Sequence, residues 1–209
     1  AHVLVDGVTE TAHVKNTGRC KELLIPGSRI ILERAKNPQR KTAYSLIAVY
    51  KGETLINIDS QAPNQVVDEA LRQGRLPQFG KLTRIVREVR YGNSRFDLYY
   101  EKGSVKGFIE VKGVTLERDG KLFFPDAPTE RGTKHVRELI KAVQAGYEGC
   151  IFFLIQMRGA VSFESNSVTD PQFTEALRQA YAGGVQVMAY DSFVTEDGIQ
   201  IGSPVGIKL

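Results

Sequence analysis

Ser94-Arg95-Phe96-Asp97-Leu98-Tyr99-Tyr100 and Gly107-Phe108-Ile109-Glu110-Val111-Lys112-Gly113-Val114-Thr115-Leu116 are two short segments rich in aromatic and β-branched residues. The turn-like Glu101-Lys102-Gly103-Ser104 lies between them, which predicts an antiparallel hairpin. Each strand carries charge where a buried sheet would carry hydrocarbon. Side chains alternate faces along a strand, so Glu110 and Lys112 share one side while Ile109 and Val111 take the other. With ordinary pairing Asp97 joins Glu110 and Lys112. Two carboxylates and an ammonium then stand on one small patch of sheet.

Converging carboxylates repel each other, and a hard divalent cation relieves the repulsion. Mg²⁺ or Mn²⁺ at such a patch takes one or two carboxylates together with water and substrate phosphate. The cation can activate a water, stabilise charge on a phosphodiester and orient the leaving group. A neighbouring lysine holds the attacking water or meets developing negative charge. Asp97 and Glu110 are therefore the candidate metal ligands, with the Val111 carbonyl as an extra one. Asp97, Glu110 and Lys112 are the candidate catalytic set. An Asp followed by Glu-x-Lys on the next strand is similar to the pattern of the PD-(D/E)XK nuclease fold. Taken alone, Glu-x-Lys also suits a solvated strand face.

The residues after the hairpin narrow the choice. Phe124-Pro125-Asp126-Ala127-Pro128-Thr129-Glu130-Arg131-Gly132-Thr133-Lys134-His135-Val136-Arg137-Glu138-Leu139 resembles the sugar fermentation stimulation protein family. Asn16-Thr17-Gly18 near the start, Ser94-Arg95 before Asp97, and Ile109-Glu110-Val111-Lys112 belong to the same resemblance, which covers nearly the whole chain. It implies an N-terminal OB-like barrel, a C-terminal PD-(D/E)XK nuclease-like domain and DNA binding. It also implies a basic, aromatic segment before the first strand. The sequence starts at Ala1, so further residues are expected to precede it.

Composition fits this class without adding to it. With 42% hydrophobic and 25% charged residues, the 209-residue chain is an ordinary globular protein of one large or two small domains. Its net charge of +4 is mild but unevenly placed. Arg72, Arg75, Lys81, Arg84, Arg87, Arg90 and Arg95 stand against the single acid Glu88. A solvated face would explain the run; polyanion binding explains its one-sidedness better. Cys20 and Cys150 have no metal-ligand spacing and suit a reducing cytoplasm. The apolar run Ile151-Phe152-Phe153-Leu154-Ile155 is too short to span a membrane, and no signal peptide is evident.

Strands are expected over His2–Val8, Thr9–Lys15, Ser28–Lys36, Thr42–Tyr50 and Glu53–Asp59, which fit a small OB-like barrel or a meander packed on the second domain. The resemblance selects the barrel. The division expected is 1–62 for the barrel and 63–209 for the nuclease-like mixed sheet with flanking helices, an α/β (α+β) architecture. The loop Asn16-Thr17-Gly18-Arg19 is either a tight turn or, with Lys15 and Arg19, a phosphate site.

Pro63-Asn64 opens a helix with Asn64 as its N-cap and Val66, Val67, Ala70 and Leu71 on the apolar face. Leu82 to Val89 fits either a helical stripe or a strand, and the strand is preferred. Glu88 is then either a third carboxylate or the ion-pair partner of a neighbouring arginine. Thr129 or Asp126 caps a helix that packs Val136, Leu139, Ile140 and Val143 on the sheet. Arg131, Lys134, His135 and Glu138 take another face, where a DNA phosphate would lie. Asp170-Pro171 starts a later helix, and the tail from Gly198 to Leu209 suits a last strand pair. The three histidines are scattered, so no zinc site is expected.

Two functions remain open at this point. One is an Mg²⁺- or Mn²⁺-dependent nuclease; the other is a catalytically silent DNA-binding regulator of sugar metabolism. DNA contacts are expected from Arg95, Arg131, Lys134, His135, Lys15 and Arg19 in both, largely without regard to sequence. A homodimer is left open.

Overall fold

The computed structural model describes all residues except Thr17, Arg19 and Ala160. The N-terminal unit contains β1 (His2–Val5), β2 (Val8–Val14), β3 (Ile30–Arg34), β4 (Tyr44–Lys51) and β5 (Thr54–Asn57). Asp6 and Gly7, both at positive φ, make the tight turn between β1 and β2. The strands pair in the order β1-β2-β4-β3, with β5 on the far end of β4. β4 serves three partners and buries Leu46, Ala48 and Val49. No ladder among the described residues closes this sheet into a ring, so the barrel is open in its hydrogen bonding.

Helix α1 (Ala62–Arg72) follows, then β6 (Arg84–Tyr91), β7 (Ser94–Lys102) and β8 (Val105–Val114). The ambiguous stretch before Gly92 is thus a strand, as preferred. The next elements are β9 (Leu116–Arg118), β10 (Lys121–Phe124), α2 (Glu130–Gln144), β11 (Glu148–Ile155) and β12 (Ser162–Ser165). The chain ends with α3 (Pro171–Ala182), β13 (Gln186–Val194), β14 (Ile199–Pro204) and β15 (Ile207–Lys208).

A six-stranded mixed sheet runs β14-β13-β11-β8-β7-β6. Its centre, β8, β11 and β13, is parallel, and antiparallel strands flank it on both sides. The parallel strands need crossovers, which α2 and α3 provide, and β11 is buried from Gly149 to Ile155 because both its faces are covered. Val66, Val67, Ala70 and Leu71 of α1 pack on one face against Leu98, Tyr100, Ile109 and Val111. Val136, Leu139 and Ala142 of α2 pack on the other against Phe96, Phe108 and Ile151. That second core continues without a break into Leu46, Val49, Ile56 and Ile58 of the N-terminal unit.

The tail differs from expectation. Its two strands do not pair with each other: β14 borders the large sheet, while β15 joins a small sheet ordered β15-β12-β10-β9. Cys20 and Cys150 are buried and free. No helix among the described residues is long and apolar enough to cross a membrane.

Candidate active site

Asp97, Glu110 and Lys112 do meet, at a break in the sheet. The β7–β8 ladder begins at Leu98 and Ile109. One position further on, the Val111 amide donates to the Asp97 carboxylate (Oδ2, 2.8 Å) instead of to strand backbone. Side-chain alternation shifts at the same point. Leu98 and Tyr100 belong to the α1-side core, but Phe96 belongs to the α2-side core. On the neighbouring strand Ile85 and Val89 part in the same way, with Glu88 between them at φ 56°. An L-residue in the left-handed region kinks a strand. At this break Asp97 accepts from the Val111 amide and from Asn64 of α1 in place of regular ladder contacts.

Each carboxylate is fixed differently. Asp97 accepts from the Asn64 side-chain amide (Oδ1, 2.8 Å) as well as from Val111. Burial and then the negative charge of Glu110 push its carboxyl up to about 6, against the opposing pull of those bonds and Lys112. Glu110 is only 2% exposed. Its Oε1 accepts from Lys112 Nζ at 2.6 Å and from His135 Nδ1. Burial alone would raise its carboxyl; Lys112 and His135 outweigh that and hold it below the usual range. Its other oxygen, Oε2, is buried with no hydrogen-bond partner. A buried carboxylate oxygen without a partner within the chain is costly, and it is open to a water or a cation in the cleft.

These residues line a cleft of about 360 Å³. Asn16, Gly18 and Ser60 of the N-terminal unit form part of its rim, and Thr129 and Arg131 from the start of α2 form another part. The Thr129 hydroxyl caps α2 by accepting from the Gly132 amide at 3.0 Å, which leaves Asp126 to line the cleft. Asp170 ties the starts of both crossover helices together, accepting from Phe173 N (2.9 Å) and Thr129 N (2.8 Å). Gly18 lies so close to this wall that an added Cβ would stand 2.7 Å from Asp126 Oδ2. The Asn16 side chain accepts from the Gly18 amide at 2.6 Å, the geometry of a tight Asx turn.

The candidate DNA contacts divide. Arg131 lines the cleft, is exposed, and has no ion-pair partner among the described residues. His135 is buried and bonded to Glu110, so it supports a ligand instead of meeting a phosphate from the surface. The polar face expected on α2 is split: His135 and Glu138 are buried, while Arg131 and Lys134 are exposed, Lys134 Nζ donating to the Asn93 carbonyl at 2.9 Å. Lys15 lies outside the cleft and pairs with Asp59 (3.3 Å) and Glu33 (3.6 Å). Arg95 pairs with Glu88 at 3.4 Å, which removes Glu88 as a third carboxylate. Arg19 and Thr17 lie outside the described residues.

Asn64 was the residue the sequence misassigned. The helix starts at Ala62, with Gln61 in the capping position and Pro63 in the first turn, where a missing N–H costs nothing. Asn64 is thereby inside the helix and its amide is turned to Asp97. Among the described residues no cluster of three His, Cys, Asp or Glu side chains suits a metal. The ligands expected from the sequence, two carboxylates and the Val111 carbonyl, are oxygen donors of the kind Mg²⁺, Mn²⁺ and Ca²⁺ take.

Comparison with known proteins agrees with this architecture. Residues 61–198 match the sugar fermentation stimulation protein RE domain, RE denoting a restriction-endonuclease-like fold, and residues 1–58 match the N-terminal OB domain of the same proteins. The chain belongs to the sugar fermentation stimulation protein family. Family members similar to it include a homolog from Alkaliphilus oremlandii, 54% identical over 99% of this chain and 90% of that protein. Another, from Desulfitobacterium hafniense, is 53% identical over 100% and 90%. Among solved structures, the Pyrococcus furiosus SfsA structure in complex with Ca²⁺ superposes with a TM-score of 0.90. It is 27% identical and covers 98% of this chain and 88% of its own.

Proposed function

We propose that this protein binds DNA, largely without regard to sequence, and hydrolyses phosphodiesters in a reaction that depends on Mg²⁺ or Mn²⁺. The observation that carries the reading is the partnerless Glu110 Oε2, buried beside Asp97 at the floor of the cleft. Asp97, Glu110 and the Val111 carbonyl would hold the cation. When bound, it would supply charge neutralisation between the carboxylates and polarise the scissile phosphate. The Ca²⁺ of the Pyrococcus furiosus structure supports an oxygen-ligand cation site in this fold.

The chain's own groups do the rest. Lys112, 16% exposed in its side chain and bonded to Glu110, presents an ammonium beside the reacting phosphate, where it orients the attacking water and offsets negative charge. Arg131 binds a flanking phosphate from the rim. His135 and Asn64 act through the carboxylates, fixing them so that Glu110 Oε2 and Asp97 keep one geometry.

One observation favours the second reading, a DNA-binding regulator without catalysis. Glu110 Oε1 already has Lys112 and His135, so part of the charge a cation would neutralise is met within the chain. Incubating single-stranded and duplex DNA with the protein and Mg²⁺ or Mn²⁺, beside Lys112→Ala, separates the two. Cleavage by the wild type that is lost in the variant supports the nuclease. Binding without cleavage in either metal supports the regulator.

A further inference from the structure

The walls of the cleft restrict what form of nucleic acid can enter. Its rim from the N-terminal unit is held fast. The Asn57 amide donates to the Gln156 carbonyl and the Gln156 amide to the Val114 carbonyl, each at 2.9 Å. The buried Gln156 side chain donates to Asn57 Oδ1 at 2.8 Å. These bonds pin β5 to the end of β8, the strand that carries Glu110 and Lys112. Asn16 is anchored in turn to the Ile58 carbonyl (2.8 Å), and the Ser60 hydroxyl to the Lys15 carbonyl (2.7 Å).

Between these fixed walls the space of about 360 Å³ is small. Ligand pockets run from about 300 to 1,000 Å³, so this one has room for about one nucleotide. In intact duplex the bases are paired and stacked, so none is free to lie on a ring in the cleft while its phosphate approaches Glu110, 2% exposed.

An unpaired nucleotide has parts that match the lining. Lys112 and Arg131 suit its phosphate, and Phe123 suits its base. Residues of β10 alternate faces, with Leu122 fully buried and Phe124 packed on Phe153 and Phe173. Phe123, half-buried, takes the other face and lines the cleft, with the Arg118 guanidinium 5.8 Å from its ring centre. Bases stack on such a ring whatever their identity.

We infer that the cleft takes a single unpaired nucleotide, so that single-stranded DNA is the preferred ligand and intact duplex a poor one. This rests on the DNA-cleaving reading above and names its substrate class. Enzymes that act on a nucleotide inside a recessed site use single strands or extrude the nucleotide from the stack, and a single strand avoids the cost of extrusion.

The test is competition in Ca²⁺ for a labelled oligo-dT, between a single-stranded DNA circle and a relaxed, covalently closed duplex circle of equal length. The single-stranded circle should compete about tenfold better or more per nucleotide, the size of one base–aromatic stack. Phe123→Leu, which keeps an apolar side chain in place, should cut that preference several-fold and leave calorimetric Ca²⁺ binding unchanged. Equal competition by the two circles, or a preference untouched in both Phe123→Leu and Phe123→Ala, overturns the inference. Ca²⁺ binding with no strand preference sinks only the single-strand assignment. Strand preference with no Ca²⁺ binding supports it and sinks the metal site instead.

Discussion

The basic stretch from Arg72 to Arg95 and the cleft beside it use charge in opposite ways. In the basic stretch the charge is exposed and in part paired. Arg72 pairs with Asp68 (2.9 Å), Arg84 with Glu101 (3.3 Å) and Arg95 with Glu88 (3.4 Å), while Arg75 donates to Gln200 at 3.3 Å. In the cleft a carboxylate is almost wholly buried and one of its oxygens has no partner. Exposed ion pairs are each worth about 0–1 kcal/mol, and losing one changes little. A buried, half-satisfied carboxylate is kept at a real cost, so it is the better marker of a working site. Density of charge along the sequence pointed to the first region; incomplete satisfaction of charge points to the second.

The largest effect should come from the carboxylates. Asp97→Asn should reduce metal-dependent cleavage to background while DNA binding persists or strengthens, since a negative charge facing the phosphates is gone. Cleavage assays beside anisotropy titrations check this. Cleavage that survives Asp97→Asn would erase the contrast between the two regions. Next, Lys112→Ala should slow cleavage by about 10²–10³-fold, the size of losing one preorganised charge at the reacting group. Metal binding should be spared.

His135→Ala should weaken divalent-metal affinity by about 10–100-fold, as loss of a ligand's supporting hydrogen bond does. His135→Asn, which can still donate to Glu110, should recover part of it. A surface phosphate contact would instead lower DNA affinity and leave metal affinity alone.

A smaller effect is expected in the pH dependence of stability. In metal-free protein the Asp97 carboxyl is raised from 3.8 to about 6 by burial and by Glu110. A raised acid favours the protonated folded state, so this contribution is present below about pH 4 and is lost as pH rises through about 6. Asp97→Asn cannot titrate. The melting-temperature difference, variant minus wild type in EDTA, should therefore climb between about pH 4 and 7. It should do so above a constant offset, because one amide oxygen replaces two acceptors now used by Asn64 and Val111. A flat difference would count against the coupling of the two carboxylates.

The smallest effect belongs to the basic stretch. Arg87→Glu with Arg90→Glu should weaken DNA binding only a few-fold and lower the salt slope by about one or two. A collapse of binding would place the DNA surface there instead of at the cleft.

Much of this site was legible in the sequence because strand periodicity is rigid. Glu110 and Lys112 had to share a face, and the apolar stripe Val136, Leu139, Ile140 fixed how α2 lies on the sheet. The cap at Asp170 was readable for the same local reason. The rest depended on contacts between distant segments. Helical spacing grouped His135 with Arg131 and Lys134, but only packing against β8 turns His135 inward to Glu110. Asn64 looked like a cap because it follows a proline; that α1 starts earlier, at Ala62, is a tertiary outcome that brings its amide to Asp97. Glu88 at positive φ leaves no trace in a run that reads equally as a helical stripe or a strand. The Asp126–Gly18 approach joins residues more than a hundred positions apart in the numbering, and no local rule reports it.

The most direct measurement is a calorimetric titration of metal-free protein with Ca²⁺ and with Mn²⁺, wild type beside Glu110→Gln, folding being checked by melting curves. An amide at Glu110 keeps the shape and most contacts but removes the charge that the buried oxygen would offer a cation. One saturable site in the wild type, weakened at least about tenfold in the variant, is the result expected of a cation site at this carboxylate pair. No saturable binding in the wild type, or equal binding in the folded variant, would contradict it.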